Sequence, residues 1–413
     1  MSLLTDLLWL IFFLVAALQL PRFFLPRHYN KYGLTFHYLI LFHFVLGGAF
    51  FLFTRNGGGD AWGYWVIAQQ MSYGDFLSFV SEGEGTRFME ALNFIPANML
   101  GMSFFANTML YSFLGSAGLC CFLAIALETV PVNKVLAGYA VFPLLFFLPN
   151  LHFWSAGVGK DTMLFMSVGM LAYGLMSPIK RIPLIILALF FALSIRPHVA
   201  LFLLLGFGVA YLFDGKVSTT QRTLLSVLLL GGGAVLLPQV LGYIKLESLD
   251  VSAISDRAGT QAEGLARASG SGVDISGYPL PLKIVTFLYR PLFFDARSFG
   301  TLLSSLDNLI LLLLSWHAFR FRPLETFRKA PFVLKGFLLF GIIGTLAFSI
   351  SLGNLGVMVR MKNMFTPGIL IYFMWCYSYR FQFEYAQKKA AENVKKLRLK
   401  MKAKKGENKP VTE

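Results

Sequence analysis

Four ionisable residues bracket two apolar runs between positions 149 and 198. Lys160 and Asp161 open the first run, and Arg196 and His198 close the second. A short basic break at 178–181 lies between the runs. Two helices joined by a tight turn there would return all four residues to one membrane face. Charge at a membrane helix end is costly unless paired or wetted, so it reads as a candidate site. The plain alternative is interfacial anchoring with a helix-end salt bridge. Arginine offers a planar fork for phosphate and lysine a compact charge. A carboxylate among them suits a general base. Other polar residues fall in segments assigned below to the same face: Asp60, Glu82, Glu84, Arg290, Asp295, Arg297, Arg360 and Lys362.

The elements that must position these residues are membrane helices. The chain of 413 residues is 56 % hydrophobic, 16 % aromatic and only 14 % charged. Soluble domains carry roughly 25 % charged residues. Runs near 4–20, 35–54, 103–127, 135–149, 161–177, 182–195, 199–213, 223–244, 300–318, 333–352 and 364–379 give about eleven segments, judged against the ~20 residues that cross a bilayer. The expected fold is all-α: a polytopic integral membrane protein of about eleven transmembrane helices with two large non-cytoplasmic loops, 55–100 and 245–299. These runs do not alternate as β-barrel strands do. The N-terminal M-S-L-L-T-D has neither a basic region nor a cleavage site, and reads as part of the first membrane helix.

Charge sets the expected orientation. The net charge is +15, and positions 380–413 hold eleven Lys/Arg against four Asp/Glu, a net +7. Such a tail is expected in the cytoplasm, so 1–379 forms one transmembrane domain and 380–413 a basic cytoplasmic tail. The loops at 21–34, 129–134, 178–181, 214–222 and 320–331 are also basic and fall on that side. The N-terminus and the loops carrying the candidate residues then lie outside. In the first outer loop, Gly57–Gly59 would let backbone approach a ligand. The aromatics of 61–80 suit a helix lying in the interface. The Gly/Ser-rich stretch 259–277 reads as mobile, as a lid or an untethered loop.

Familiar soluble chemistry is missing from the sequence. There is no Walker A motif, HExxH or GxSxG. Gly157-Val-Gly-Lys160 lacks the upstream glycine and the following Ser/Thr of a phosphate loop. Cys120, Cys121 and Cys376 show neither metal spacing nor a disulfide framework. No cofactor is expected: a divalent cation near Asp60 and Glu82 has no ligand spacing behind it.

Five pieces carry a resemblance: G-G-D-A-W-G-Y at 58–64, F-W-S-A-G-V-G-K-D at 153–161, I-R-P-H at 195–198, Y-R-P-L-F-F-D-A at 289–296 followed by S-S-L-D-N-L, and V-R-M-K-N-M-F-T-P at 359–367. The chain resembles bacterial envelope-polysaccharide proteins, namely GT-C-type glycosyltransferases using polyprenyl-phosphate donors and Wzy- or EpsG-like polymerases. The resemblance implies an enzyme in the bacterial inner membrane that acts on a lipid-linked saccharide at the outer face. Its partners would be that substrate, membrane lipid and polysaccharide-assembly proteins, not nucleic acid. On a GT-C pattern Asp60 would be the catalytic base, with Asp161 the other catalytic carboxylate. On a Wzy pattern the outer arginines Arg196, Arg290 and Arg360 would lead. Lys160, His198 and Asp295 complete the expected substrate-binding set.

Two other classes stay open. A transporter or flippase would show pseudo-symmetry and broken helices, and Gly231–Gly233 with Pro238 are candidate breakers. A non-catalytic assembly scaffold would use the basic tail as its contact. The transferase reading predicts that Asp60, Lys160, Asp161, Arg196, Arg290 and Arg360 line one cavity.

Overall fold

The computed structural model describes residues 3–407, apart from 57–58, 82, 134, 137–138, 213, 215–218, 245–249 and 268–269. Glu82 is therefore outside the described residues. The described chain is helical almost throughout. Its helices are α1 (Leu3–Phe24), α2 (Pro26–Thr54), α3 (Asp60–Gln70), α4 (Tyr73–Ser81), α5 (Thr86–Phe94), α6 (Phe104–Thr129), α7 (Val141–Leu144), α8 (Pro149–Phe153), α9 (Lys160–Leu175) and α10 (Ile182–Ile195). After these come α11 (Pro197–Leu212), α12 (Thr219–Ile244), α13 (Val251–Arg267), α14 (Leu280–Tyr289), α15 (Phe299–Phe319), α16 (Pro323–Lys329), α17 (Phe332–Ser351), α18 (Leu355–Lys362) and α19 (Thr366–Glu407).

By length and composition α1, α2, α6, α15 and α17 are able to cross a membrane. A helix satisfies its own backbone groups, which hydrocarbon requires. The helices α10, α11 and α14 are apolar but shorter.

α6 lies at the centre, packed against α1, α2 and α9. Small residues let it approach its neighbours closely. A Cβ on Gly115 would stand 1.9 Å from Ser155 O, and one on Gly118 2.7 Å from the Met166 backbone. Ser112 of α6 also donates to Ala156 O at 2.7 Å. The loop between α8 and α9 is thereby held against α6. α9 continues into the antiparallel α10, and α11 packs on α17.

Several expected segments take a different form. The run 135–149 is not one helix. It begins as a two-residue antiparallel ribbon, Val135–Leu136 with Tyr139–Ala140, followed by α7 and a 3₁₀ turn, Leu145–Phe147. Pro143 and Pro149 interrupt it, since proline has no N–H for a helix ladder. Asn133 instead bonds both the N–H and the C=O of Phe142, at 2.9 and 2.7 Å. The expected loop 21–34 is mostly helical: only Leu25 separates α1 from α2. α12 runs unbroken through Gly231–Gly233 and Pro238. The stretch 259–277 is no untethered loop, because α13 takes it to Arg267. Beyond that, Val273 N–H donates to Gly353 O at 2.8 Å, and Leu355 N–H to Ser271 O at 2.9 Å. The interfacial helix expected at 61–80 is divided between α3 and α4 at Ser72. The tail continues α19, which runs 42 residues from Thr366 to Glu407.

Candidate functional site

Three chain breaks bring distant charges together. Gly59, with φ of 75°, precedes α3, so Asp60 stands in the first turn of that helix. Gly159 precedes α9, which opens with Lys160 and Asp161. Arg196 occupies the break between α10 and α11. Pro197 keeps the preceding residue out of helical geometry, and Arg196 has φ of −149°. The fourth contributor is α18, whose start is capped by Asn354 accepting from Val357 N–H at 3.1 Å. Arg360 lies on its last turn.

Asp161 is the centre of the cluster. Its side chain is 7 % exposed. Arg360, 199 residues away, donates from Nε to Asp161 Oδ2 in a close bond. Arg196 approaches the other oxygen, with Nη1 at 3.5 Å from Oδ1. The same Nη1 meets Met361 Sδ at 2.8 Å. The two terminal nitrogens of Arg360 reach Asp60 Oδ2 at 3.4 Å each. Asp60 is the open member, with 59 % of its side chain exposed. Attraction to Asp161 leads in holding the Arg360 guanidinium protonated, above its ordinary range. One carboxylate therefore anchors two guanidiniums, and a second meets one of them loosely from the solvent side.

Asp60, Asp161 and Arg360 line a cavity of about 90 Å³ with Phe50, Tyr64 and Trp154. Tyr64 is buried, and its hydroxyl faces Thr86 without hydrogen-bond geometry. Burial, then the Asp60 charge, raises its pKa. Lys160 lies beside this cavity and donates to Thr86 Oγ1 on α5 at 3.0 Å. Thus Asp60, Lys160, Asp161, Arg196 and Arg360 form one neighbourhood, built from four separate parts of the chain.

His198 and Arg290 are placed elsewhere. His198 is partly buried in the first turn of α11, with Phe202 and Phe348 both 5.9 Å from its ring. It does not line the cavity. Arg290 follows α14 and pairs with Asp295, Nε to Oδ2 at 3.0 Å and Nη2 to Oδ1 at 2.6 Å. Leu292 N–H also donates to Asp295 Oδ2 at 2.9 Å. Burial opposes ionisation of Asp295, but the Arg290 and Leu292 bonds outweigh it and hold the carboxyl below its usual range. Of the six residues expected to line one cavity, Asp60, Asp161 and Arg360 do so; Lys160 and Arg196 join the cluster without lining it, and Arg290 has its fork on Asp295, five residues along the chain.

A buried lysine links the two clusters. Lys362 sits two residues beyond Arg360 and is buried. Its ammonium donates to Leu288 O at 3.0 Å, Arg290 O at 3.1 Å and Asn308 Oδ1 at 2.8 Å. Asn308 in turn donates to Pro291 O at 2.9 Å. Alongside, Asp307 accepts from both Asn150 N–H groups, backbone and side chain, at 2.9 Å each. Asn150, Asp307, Asn308 and Lys362 surround a smaller cavity of about 30 Å³. α18 thus carries Arg360 toward Asp161 and Lys362 toward the turn that bears Arg290.

Tyr64, Thr86, Met361 and the Asn150–Asp307–Asn308 network were not singled out as site residues from sequence. Asp307 had a usable signal: it is a carboxylate inside an apolar run. Tyr64 stood in the G-G-D-A-W-G-Y piece as an aromatic able to stack on a sugar ring, but one aromatic among many reads first as an interfacial anchor. Among the described residues no group of three or more His, Cys, Asp or Glu is arranged to hold a metal ion. No protein-family profile, curated protein or solved structure matches the chain.

Proposed function

We propose that the protein is a membrane glycosyltransferase or polymerase that acts on polyprenyl-phosphate-linked saccharides at the non-cytoplasmic face of a bacterial inner membrane. The observation that carries this reading is Arg360, which binds a buried carboxylate firmly and an exposed one loosely at the wall of a cavity. An arginine fixed by Asp161 keeps its remaining N–H groups aimed at one place. That is preorganisation for a phosphate leaving group. The contacts to Asp60 at 3.4 Å are weak by hydrogen-bond standards. A phosphate on Arg360 would displace Asp60 and leave that carboxylate free as a base.

In this reading the acceptor hydroxyl oxygen bonds to the anomeric carbon of the donor sugar. The bond from that carbon to the phosphate oxygen breaks with its electron pair. Asp60 takes the hydroxyl proton, and Arg360 and Arg196 balance the charge left on the lipid phosphate. Asp161 holds the arginines in place throughout. Trp154 at the cavity wall gives a sugar ring an apolar face to stack on.

The test replaces Asp60 with Asn, and Arg360 with Lys, in a strain lacking the gene. Membrane levels of the variants are checked by immunoblot, and lipid-linked glycans are profiled by mass spectrometry. Accumulated single repeat units mean a polymerase, and a missing single sugar means a transferase. Normal glycan from both variants would remove the reading.

A further inference from the structure

A further cavity is apolar and shares no residue with the Asp161 cavity. It is a groove of about 240 Å³ between α14, α15, α17 and α19, walled by residues such as Ile284, Leu288, Leu311, Leu346 and Ile369. Its stretch of α17, from Leu338 to Leu346, is roughly 12 Å long at 1.5 Å rise per residue. Two of its polar side chains satisfy each other, the Tyr289 hydroxyl donating to Ser315 Oγ at 2.9 Å. A groove with such walls takes hydrocarbon rather than water.

Its chemistry changes abruptly at one end. Leu288 and Tyr289 line the groove, and the next residue is Arg290. Lys362 fixes that junction by binding the carbonyls of Leu288 and Arg290. Leu311 is shared with the small polar cavity of Asp307, Asn308 and Lys362, so the two spaces adjoin. The turn that follows exposes Phe293, Phe294 and Phe299. The Arg290 guanidinium lies 5.5 Å from the centre of the Phe294 ring. Arg297 is exposed beside the carboxylate of Asp295. Two arginines thus flank one carboxylate, leaving a net positive charge. Exposed aromatic rings beside arginines place this turn at headgroup depth.

We infer that the turn at 290–297 and the groove beneath it form a second site, separate from the Asp161 cavity, for a single-chain lipid phosphate. The chain lies between α14, α15, α17 and α19, and the phosphate meets Arg297, while Arg290 stays paired with Asp295 and contributes only its charge. One groove accepts one chain, so a two-chain phospholipid would leave an acyl chain outside. Lys362 and Arg360 share α18, so one short helix contacts both this site and the Asp161 cluster. A reaction that joins two lipid-linked saccharides needs two such places side by side. This inference rests on the lipid-linked substrate class proposed above.

The experiment uses the full chain in phosphatidylcholine nanodiscs with diazirine-bearing farnesyl phosphate as the probe. Labelled peptides should come from α14 and α17. Arg297→Gln changes an exposed side chain and should keep the fold. It should raise the probe concentration for half-maximal labelling about tenfold, on the order of one charge-assisted hydrogen bond. Leu346→Trp, which fills the groove from its exposed side, should abolish labelling of α17. Farnesol should compete at least about tenfold less well than farnesyl phosphate, by the same scale. Labelling indifferent to both substitutions would overturn the inference, as would dioleoyl phosphatidic acid competing as well as farnesyl phosphate. Labelling reads binding, not turnover. If Asp60→Asn and Arg360→Lys both make normal glycan while the labelling pattern holds, the transferase reading fails and the lipid site stands.

Discussion

The two aspartates of the cluster differ in burial, and so in what their loss should do. Asp161 pairs with two guanidiniums in a nearly dry setting. Removing one partner of a buried ion pair leaves uncompensated charge and typically costs 3–5 kcal/mol. Asp161→Asn should therefore destabilise by about 3 kcal/mol or more on that scale, seen as a lower melting temperature in detergent. Asp60 is exposed and loosely held, and surface pairs contribute about 0–1 kcal/mol. Asp60→Asn should leave the melting temperature nearly unchanged while abolishing glycan output. Equal losses of stability in the two variants would mean that Asp60 is only structural. Arg360→Lys tests geometry rather than charge. A lysine cannot donate to Asp161 and Asp60 through a planar fork, so output should fall at least about tenfold, the loss of roughly one charge-assisted bond, with the protein still folded. Asp295 gives a pH prediction. Its folded pKa is depressed, so its stabilisation is present above the ordinary carboxylate value, about 3.9. That stabilisation is lost as pH falls through the depressed value. The difference in melting temperature between wild type and Asp295→Asn should be constant from pH 8 to 5 and shrink below about 3.9.

Position depends on elements, and here small residues decide. The loop carrying Trp154 to Gly159 lies against α6 because Ser112 binds Ala156 O and Gly115 leaves room for Ser155 O. Gly118 gives α9 the same close approach. Replacing Gly118 with Leu should separate α6 from α9 and displace Asp161 from its arginines. Overpacking of this kind costs about 1–3 kcal/mol. The expected outcome is a reduced yield of monodisperse protein and lost output, and a normal yield with normal output would show that α9 tolerates the shift. The convergence of Lys160 and Asp161 with Arg196 was legible in the sequence, because two apolar runs joined by a short turn must return to one side. The contributions of Asp60 and Arg360 were legible as residues but not as contacts. They lie 300 positions apart, and no periodicity reports that distance. Arg290 was misplaced for a related reason. Its residue type fits phosphate, but only the fold shows that Asp295 has already taken its fork. The run 135–149 misled because apolar composition counts length and does not see Pro143 and Pro149 break the ladder.

For the whole molecule, direction in the membrane remains a matter of charge, and it can be measured. The positive-charge bias predicts the α19 extension in the cytoplasm and α4, at 73–81, outside. From Arg380 to Glu407 that extension is helical, about 42 Å at 1.5 Å per residue, and its basic side chains from Lys388 to Lys400 are exposed. The native cysteines Cys120, Cys121 and Cys376 are all buried. A membrane-impermeant maleimide should therefore label the wild type weakly, and single added cysteines will report their own side. Ser78→Cys on α4 and Lys396→Cys on α19 are both exposed positions. In intact cells Ser78→Cys should label and Lys396→Cys should not. In inverted vesicles the pattern should exchange. Labelling of both in intact cells would put the tail on the same side as α4 and demand one membrane crossing more or fewer between them. Full reversal would place the Asp161 cavity on the cytoplasmic side, where a nucleotide-linked donor would be at hand. The proposed lipid-linked donor follows from an outward-facing cavity, so this labelling decides whether that chemistry is the one to assay.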